Sequence, residues 1–476
     1  MYDNLLQVMH NAQTAFESIK ALSISQRIKY IKNLKQIIIK NQNFIIDQIV
    51  KDTKKTSFEA YFCEIFPVIS FLSFIEKTAH NALKPQKVKT PFFLFGKTSK
   101  IYFDPIGTVL VISAWNYPFY LGIIPSLTAF VCGNAVIIKP SELAPLIGVW
   151  EQLFKESGFD QNWIQLVYGN AQVTTELISS KPNKIFFVGS TKTGKKILEQ
   201  TAKNIIPVDL ELGGKDAMIV CDGANLKKAS AAAIWGAFCN AGQLCSSIEK
   251  IYVHNKIYEA FKAQLIHKLN MLIQHIKSDA YHQKQIGKII SQSHFNRIRQ
   301  YISEALYQGA KLINHSIFAY SINDLFDESD LLIYPTILEN VSNDSLLSSE
   351  ETFGPVAILD VFEDIEALIN KINQNNYGLG ISIWSSNTKE IQNFINNCRV
   401  GNICINNVII NLANPYLPFG GVRNSGFGRY KGMLGYLSFV NPKSVMCDHL
   451  SFMNEIFWYP YTDLKYKIIR FFSKFL

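Results

Sequence analysis

Two side chains stand out for the chemistry that their types and surroundings allow. Cys245 lies in Asn240-Ala241-Gly242-Gln243-Leu244-Cys245-Ser246-Ser247, a small-residue turn after a helical run and before a strand-like one. A thiol there can attack a carbonyl carbon, and a turn of small residues leaves its backbone amide free to face the oxygen on which charge develops. Glu211 closes an apolar run in Leu210-Glu211-Leu212-Gly213-Gly214-Lys215. A carboxylate half removed from water at a strand end has a raised pKa and suits general-base work. The bland alternatives are a small buried thiol and a structural Glu211–Lys215 pair, and spacing alone does not bring Cys245 and Glu211 together.

A third feature is Gly189-Ser190-Thr191-Lys192-Thr193-Gly194-Lys195-Lys196, where a strand-like run turns into a helical one. Backbone N–H groups and the helix dipole at such a turn can hold a phosphate. The string misses the nucleotide-hydrolase loop by one residue: Lys196 stands where Ser or Thr would ligate magnesium, which disfavours triphosphate hydrolysis. The fingerprint G-x-G-x-x-G is absent, since Gly426, Gly428 and Gly432 have the wrong spacing and follow no strand. A dinucleotide would therefore have to be held in another way.

These groups need a rigid scaffold, and the hydrophobic pattern supplies one. Strand-like runs at 108–113, 135–139, 164–168, 184–188 and 207–212 alternate with helical segments, and a second series follows at 250–254, 356–362, 380–384 and 401–406. Such alternation predicts two α/β domains with parallel sheets, joined near residue 212. The first eighty residues read as helical; Ile28, Ile31, Leu34, Ile37 and Ile38 form one stripe over 25–40, with Ser25 as the expected N-cap. Runs at 92–95 and 100–103 around Gly96-Lys97 predict a hairpin arm, which needs another element to lean on. Residues 315–330 read as an irregular polar loop. Near the C-terminus, Leu464, Ile468, Ile469, Phe471, Phe472, Phe475 and Leu476 alternate with Lys465, Lys467, Arg470 and Lys474, too short and charged a stretch to span a bilayer. A helix packed on its own protein or on a second copy is preferred there to one on a membrane surface through 463–476.

Composition narrows the class. A chain of 476 residues with 48% hydrophobic and 18% charged residues has the length for two to three globular domains and none of the polarity of a disordered one. The net charge of +9 is scattered without a basic block, so nucleic-acid binding gets no support. Eight cysteines occur with no C-x-x-C pair and no ligand spacing, so no metal site is expected. With no basic, apolar and small-residue leader pattern, the expected location is cytoplasmic, with reduced thiols.

Taken together, seven strings resemble the aldehyde dehydrogenase superfamily over nearly the whole chain. They are 114–119 (AWNYPF), 133–145 (GNAVIIKPSELAP), 187–194 (FVGSTKTG), 211–215 (ELGGK), 242–245 (GQLC), 351–355 (ETFGP) and 418–421 (PFGG). The arm at 86–104 and the tail Trp458-Tyr459-Pro460-Tyr461 resemble the class 3 branch, which includes fatty-aldehyde and coniferyl-aldehyde enzymes. The resemblance implies two Rossmann-like α/β domains plus a small oligomerisation arm. A cofactor domain would span 1–85 and 105–211, a catalytic domain 212–415, an arm 86–104 with 416–445, and a tail 446–476.

It further implies NAD(P)-dependent oxidation of an aldehyde, aliphatic of medium or long chain or aromatic, to the acid. Cys245 would be the nucleophile, Glu211 the base, and Asn116 with the Cys245 N–H the oxyanion donors. Lys139 and Glu142 would meet the adenosine ribose, and Gly189, Ser190 and Gly194 the pyrophosphate. Glu351, Phe353 and Trp115 would lie at the nicotinamide end, and Tyr117 and Trp235 would line the aldehyde channel. NAD is expected over NADP, because a carboxylate beside the ribose repels a 2′-phosphate, with NADP accepted when Glu142 swings away. No metal is required, and a homodimer is expected. The rivals are an acyl-CoA-forming relative, disfavoured by the Glu211 match, and an inactive homologue that serves as a binding protein.

Overall fold

The computed structural model describes residues 2–278, 285–313, 322–450, 452 and 454–475. The arm strands are β1 (Gln86–Val88) and β2 (Lys97–Pro105), followed by β3 (Thr108–Ile112), β4 (Ala135–Lys139), β5 (Ile164–Leu166), β6 (Lys184–Val188) and β7 (Val208–Glu211). Next come β8 (Asp216–Val220), β9 (Ile248–His254), β10 (Lys311–Leu312), β11 (Phe326–Asp327), β12 (Leu332–Ile333) and β13 (Thr336–Glu339). The series ends with β14 (Val356–Phe362), β15 (Gly380–Trp384), β16 (Asn402–Ile405), β17 (Gly426–Phe427) and β18 (Val440–Asp448).

Two sheets carry the fold. The first runs β17-β7-β6-β3-β4-β5, parallel except for β17. Its strands β3, β4 and β6 are buried throughout, as strands covered by helices on both faces must be. The chain winds outward from β3 to β5 and then returns to β6 on the other side of β3. The carboxyl ends of β3 and β6 thus flank the point where winding reverses, the usual place for a ligand crevice in such sheets. The second sheet runs β10-β13-β14-β9-β8-β15-β16, parallel except for β10. Each sheet has its own apolar core.

All nine runs of the two α/β series form strands, with ends shifted by at most two residues. Two further parallel strands, β8 and β13, were not expected. The arm differs from expectation. Residues 92–95 form no strand: Phe92–Leu94 is a short 3-10 turn, and β2 pairs instead with β1, Gln86 opposite Ile101. The phenylalanines have strand propensity but no alternation with polar residues, and propensity without alternation is a weak signal. The element on which the arm leans is β18, antiparallel to β2 from Val440–Pro105 to Asp448–Lys97.

The helix Ile24–Lys40 is capped by Ser23, not Ser25: the Ser23 hydroxyl accepts from the Gln26 N–H while the Gln26 side chain accepts from the Ser23 N–H. Of the loop expected at 315–330, residues 315–321 lie outside the described residues, and 322–330 hold a 3-10 turn and the first strand of the ribbon β11–β12. The tail helix Asp463–Phe472 is capped by Thr462 and exposed on all sides, with Phe472 beside Phe92 of the arm.

Candidate active site

The turn that presents Cys245 is backbone-strained. Asn240, Ala241 and Gly242 take φ values of 54°, 55° and 68°, three successive left-handed residues that reverse the chain after the helix Leu226–Phe238. A non-glycine residue costs about 1–2 kcal/mol in this region. The strain is held by hydrogen bonds. The Asn240 N–H donates to Glu59 Oε1 at 2.6 Å, its Nδ2 donates to the carbonyls of Asn116 and Gln243, and Gln243 Nε2 donates to the carbonyls of Asn240 and Lys288. A Cβ on Gly242 would lie 2.0 Å from the Gly354 carbonyl oxygen, a backbone atom with no room to yield. Gly242→Ala is therefore expected to destabilise the protein by about 3 kcal/mol or more, read from the denaturant midpoint.

The segment that follows Glu211 passes close to Cys245. A Cβ on Gly214 would sit 2.3 Å from the Cys245 carbonyl oxygen, and one on Gly213 would sit 2.2 Å from Glu351 Oε2, so both glycines permit close passage. Glu211 is buried, not half desolvated, and neither carboxyl oxygen has a hydrogen-bond partner among the described residues. Burial pushes its pKa well above the usual carboxylate range; Arg429 and Lys431 oppose the rise and Asp209 adds to it. Lys215 is not its partner. That ammonium donates to Glu249 Oε2 at 2.5 Å and to the Glu350 carbonyl at 2.6 Å. The Cys245 thiol is held above its ordinary pKa by burial and by Glu351, Asp216 and Glu211. No acceptor takes the Cys245 N–H among the described residues.

Asn116 follows β3 and is anchored on both sides. Its carbonyl accepts from Lys55 Nζ at 2.7 Å, and its Nδ2 donates to the Gln243 carbonyl at 3.1 Å. A primary amide has two N–H bonds, so one remains for a ligand. Lys55 is fully buried against Glu64, which also accepts from the N–H groups of Phe119 and Tyr120. Glu64 points inward from a π-helical turn, Tyr61–Ile65, a widened helix segment of the kind found at functional sites.

Cys245 and Asn116 line one apolar channel together with Tyr117, Trp235, Tyr120, Phe62, Phe66 and Tyr430, and it encloses about 950 Å³ including its open mouth. At the mouth the exposed rings of Phe58, Phe62 and Phe66 stack one turn apart, with centroids 5.7 and 6.2 Å apart. Among the described residues, Ser57–Leu83 is the one helix long and apolar enough to cross a membrane, and half of its most apolar window is buried in the protein.

Polar residues stand at the carboxyl ends of the first sheet's strands. Lys139, buried at the end of β4, reaches the exposed Glu142 at 3.0 Å. Gly189 and Ser190 follow β6, and Ser190 caps the helix Thr191–Ala202 by accepting from the Thr193 N–H. Gly194 lets that helix press on Leu212, where a Cβ would come within 2.8 Å. Trp115 meets Phe353 edge to face at 5.4 Å and His294 at 5.2 Å. Glu351 accepts from the Gly214 N–H at 2.9 Å, and burial, then Glu249, pushes its pKa up to about 8. Several residues of this site escaped the sequence reading: Lys55, Glu64, Asn240, Gln243, Glu249, Arg429 and Lys431. Only Gln243 and Asn240, inside the cysteine turn, stood in a string that could have signalled them.

Among the described residues no group of three or more His, Cys, Asp or Glu side chains is arranged to hold a metal. The aldehyde dehydrogenase family model matches residues 3–445. The chain is 36% identical to a 4,4'-diapolycopene aldehyde oxidase of Methylomonas sp over 96% of this chain and 84% of that one. It is 32% identical to a dimeric NADP-preferring aldehyde dehydrogenase of Rattus norvegicus over 95% and 96%. A solved structure of Staphylococcus aureus AldH in a substrate-bound state superposes with a TM-score of 0.88, at 31% identity over 98% of this chain and 99% of that one. With the family model matching residues 3–445 and relatives more than 30% identical over nearly the whole chain, the chain belongs to the aldehyde dehydrogenase family and is an oxidoreductase acting on aldehydes.

Proposed function

We propose that the protein oxidises long, rigid or aromatic apolar aldehydes to carboxylic acids through a thioester on Cys245, with NAD as preferred hydride acceptor and NADP accepted. The observation that carries this reading is the apolar channel lined by Cys245 and Asn116, in a fold whose first sheet reverses its winding where β3 and β6 end. Residues 1–85 with 105–211 form the cofactor domain in this reading, 212–415 the catalytic domain, 86–104 with 416–445 the arm, and 446–476 the tail. The protein works in the reducing cytoplasm as a homodimer joined through the arm; sedimentation of a monomer at working concentration would overturn the dimer.

The crevice residues suit an anionic dinucleotide. Lys139 offers a buried cation, Glu142 an exposed carboxylate for ribose hydroxyls, and Gly189, Ser190 and Gly194 a free helix N-terminus for the pyrophosphate. Trp115, Phe353 and Glu351 would flank the nicotinamide ribose and ring, and Lys215 and Glu249 hold the 350–353 backbone in place. When bound, the cofactor supplies the hydride acceptor.

In the chain's own chemistry, Cys245 sulfur gives up its proton to solvent and bonds to the aldehyde carbon, whose C=O π pair moves onto oxygen. The negative charge that gathers on oxygen meets the spare Asn116 N–H and the Cys245 N–H. Loss of the hydride leaves the thioester. Glu211 then takes a proton from water, the hydroxyl oxygen bonds to the acyl carbon, the C–S bond breaks, and the sulfur regains a proton.

The aromatic ladder at the mouth favours substrates too long for the channel itself, such as polyene or long-chain aldehydes, and the Methylomonas relative carries a polyene aldehyde in its name. A ring that covers an apolar chain contributes about 1.5–3 kcal/mol, so Phe62→Ala is expected to lower kcat/KM for long aldehydes about tenfold or more and to leave acetaldehyde unaffected. Initial rates at 340 nm across a series from acetaldehyde to retinal-length aldehydes, with NAD and with NADP, test both preferences. A kcat/KM independent of chain length would contradict the substrate class, and a strong NADP preference the cofactor ordering.

A further inference from the structure

Lys431 is a buried cation that no step above uses. Its ammonium is surrounded by the rings of Phe419, Tyr430 and Tyr120, with centroids at 5.3, 5.7 and 6.0 Å, all three of which line the channel. It donates to one carbonyl, that of Leu412, at 2.6 Å, and makes no carboxylate contact within 4.0 Å among the described residues. Its backbone has φ 68° and ψ 172°, a region essentially reserved for glycine. A lysine held in a glycine conformation, with its charge inside an apolar wall, needs a reason beyond packing. The carboxylate that feels it is Glu211, whose own oxygens have no hydrogen-bond partner.

We propose that Lys431 is a positioning residue for thioester hydrolysis: its charge, fixed on the Leu412 carbonyl beside the channel, keeps the Glu211 carboxyl ionised and therefore able to take a proton from water. This inference rests on Glu211 being the base. Other groups also face Glu211. Arg429, whose Nη1 donates to the carbonyls of Gly421 and Gly428, shares the flank of Gly420 with Glu211, and a Cβ there would lie 2.9 Å from Arg429 Nη1 and 2.8 Å from Glu211 Oε1. Asp209 opposes ionisation, while Cys245, Tyr120 and Tyr430 lie on the channel side. Burial pushes the Lys431 ammonium down to about 7, with Glu211 pulling the other way, so the Lys431 charge is present below neutral pH and lost above it.

The sign follows. A cation favours the ionised carboxyl, so removing it raises the Glu211 pKa and moves the acid limb of hydrolysis to higher pH. The test is single-turnover thioester hydrolysis against pH for wild type, Lys431→Met, Lys431→Arg and Lys431→Gly. In Lys431→Met the acid limb is expected to move up by about one pH unit or more, a loss of about tenfold along that limb, with convergence on wild type at high pH, where Lys431 has shed its own proton. Lys431→Arg should restore the acid limb. Lys431→Gly relieves the backbone strain while removing the charge, so a well-folded glycine variant with the methionine profile separates charge from stability. A methionine profile parallel to wild type, lowered equally at every pH or not at all, would overturn the inference. Glu211→Gln separates the two claims: if it still turns over normally, the base assignment fails and this inference with it. If it does not turn over and the Lys431→Met limb stays in place, only the role of Lys431 fails.

Discussion

Cys245→Ala is expected to lose aldehyde oxidation by about 10⁴-fold or more with every aldehyde and either cofactor, because no other thiol can take its place. Cys63 and Cys239 also line the channel, with their sulfurs 4.0 Å apart, but they are engaged with each other and, for Cys239, with Tyr117. The neighbouring Cys63 thiol and then burial hold Cys239 well above its ordinary pKa. The substitution removes one sulfur from a half-buried position and leaves the hydrogen bonds of the Asn240–Gln243 turn intact, so the fold should hold. Residual NADH formation above about one per cent of wild type at 340 nm would show that another residue is the nucleophile.

Glu211→Gln is expected to separate the two halves of the reaction. The amide keeps the shape of the carboxyl but cannot accept a proton from water, so hydrolysis should slow by about 10²- to 10⁴-fold while sulfur addition and hydride loss continue. The expected trace is a burst of one reduced cofactor per site followed by a nearly flat steady state. In wild type the same carboxyl sets the pH dependence. Its pKa is raised by burial, so it is protonated and inactive as a base at low pH, and turnover rises as pH passes through that raised value. An unimpaired steady state in the Gln variant would remove Glu211 from the mechanism.

The sheets were legible because their strands are apolar runs bounded by glycine and proline. β8 was missed because Asp216–Val220 begins two residues after the glycine pair that looked like the end of a domain, and β13 because Thr336–Glu339 is only four residues long. Side-chain partners were less legible than strands. Lys215 stood four residues from Glu211 in a string that invited a local pair, yet it lies in the connection between β7 and β8, and its partner, Glu249 of β9, is 34 residues away in the chain. The Lys55–Glu64 pair depends on a π turn, which shifts the helical register by one residue and carries no sequence signature of its own. Lys431 carried no signal in the sequence, because its surroundings include the rings of Phe419 and Tyr120, which lie 12 and 311 residues away in the chain.

The central chemical claim is a covalent acyl group at Cys245. The direct measurement is the mass of the Cys245 peptide from Glu211→Gln protein, quenched in acid during the burst with a long-chain aldehyde and NAD. A thioester adds the aldehyde less two hydrogens, whereas a stalled addition product adds the whole aldehyde. The expected result is the mass short by two hydrogens, located on Cys245 and absent when NAD is omitted. An unmodified Cys245 peptide while the burst of reduced cofactor is present would contradict the mechanism.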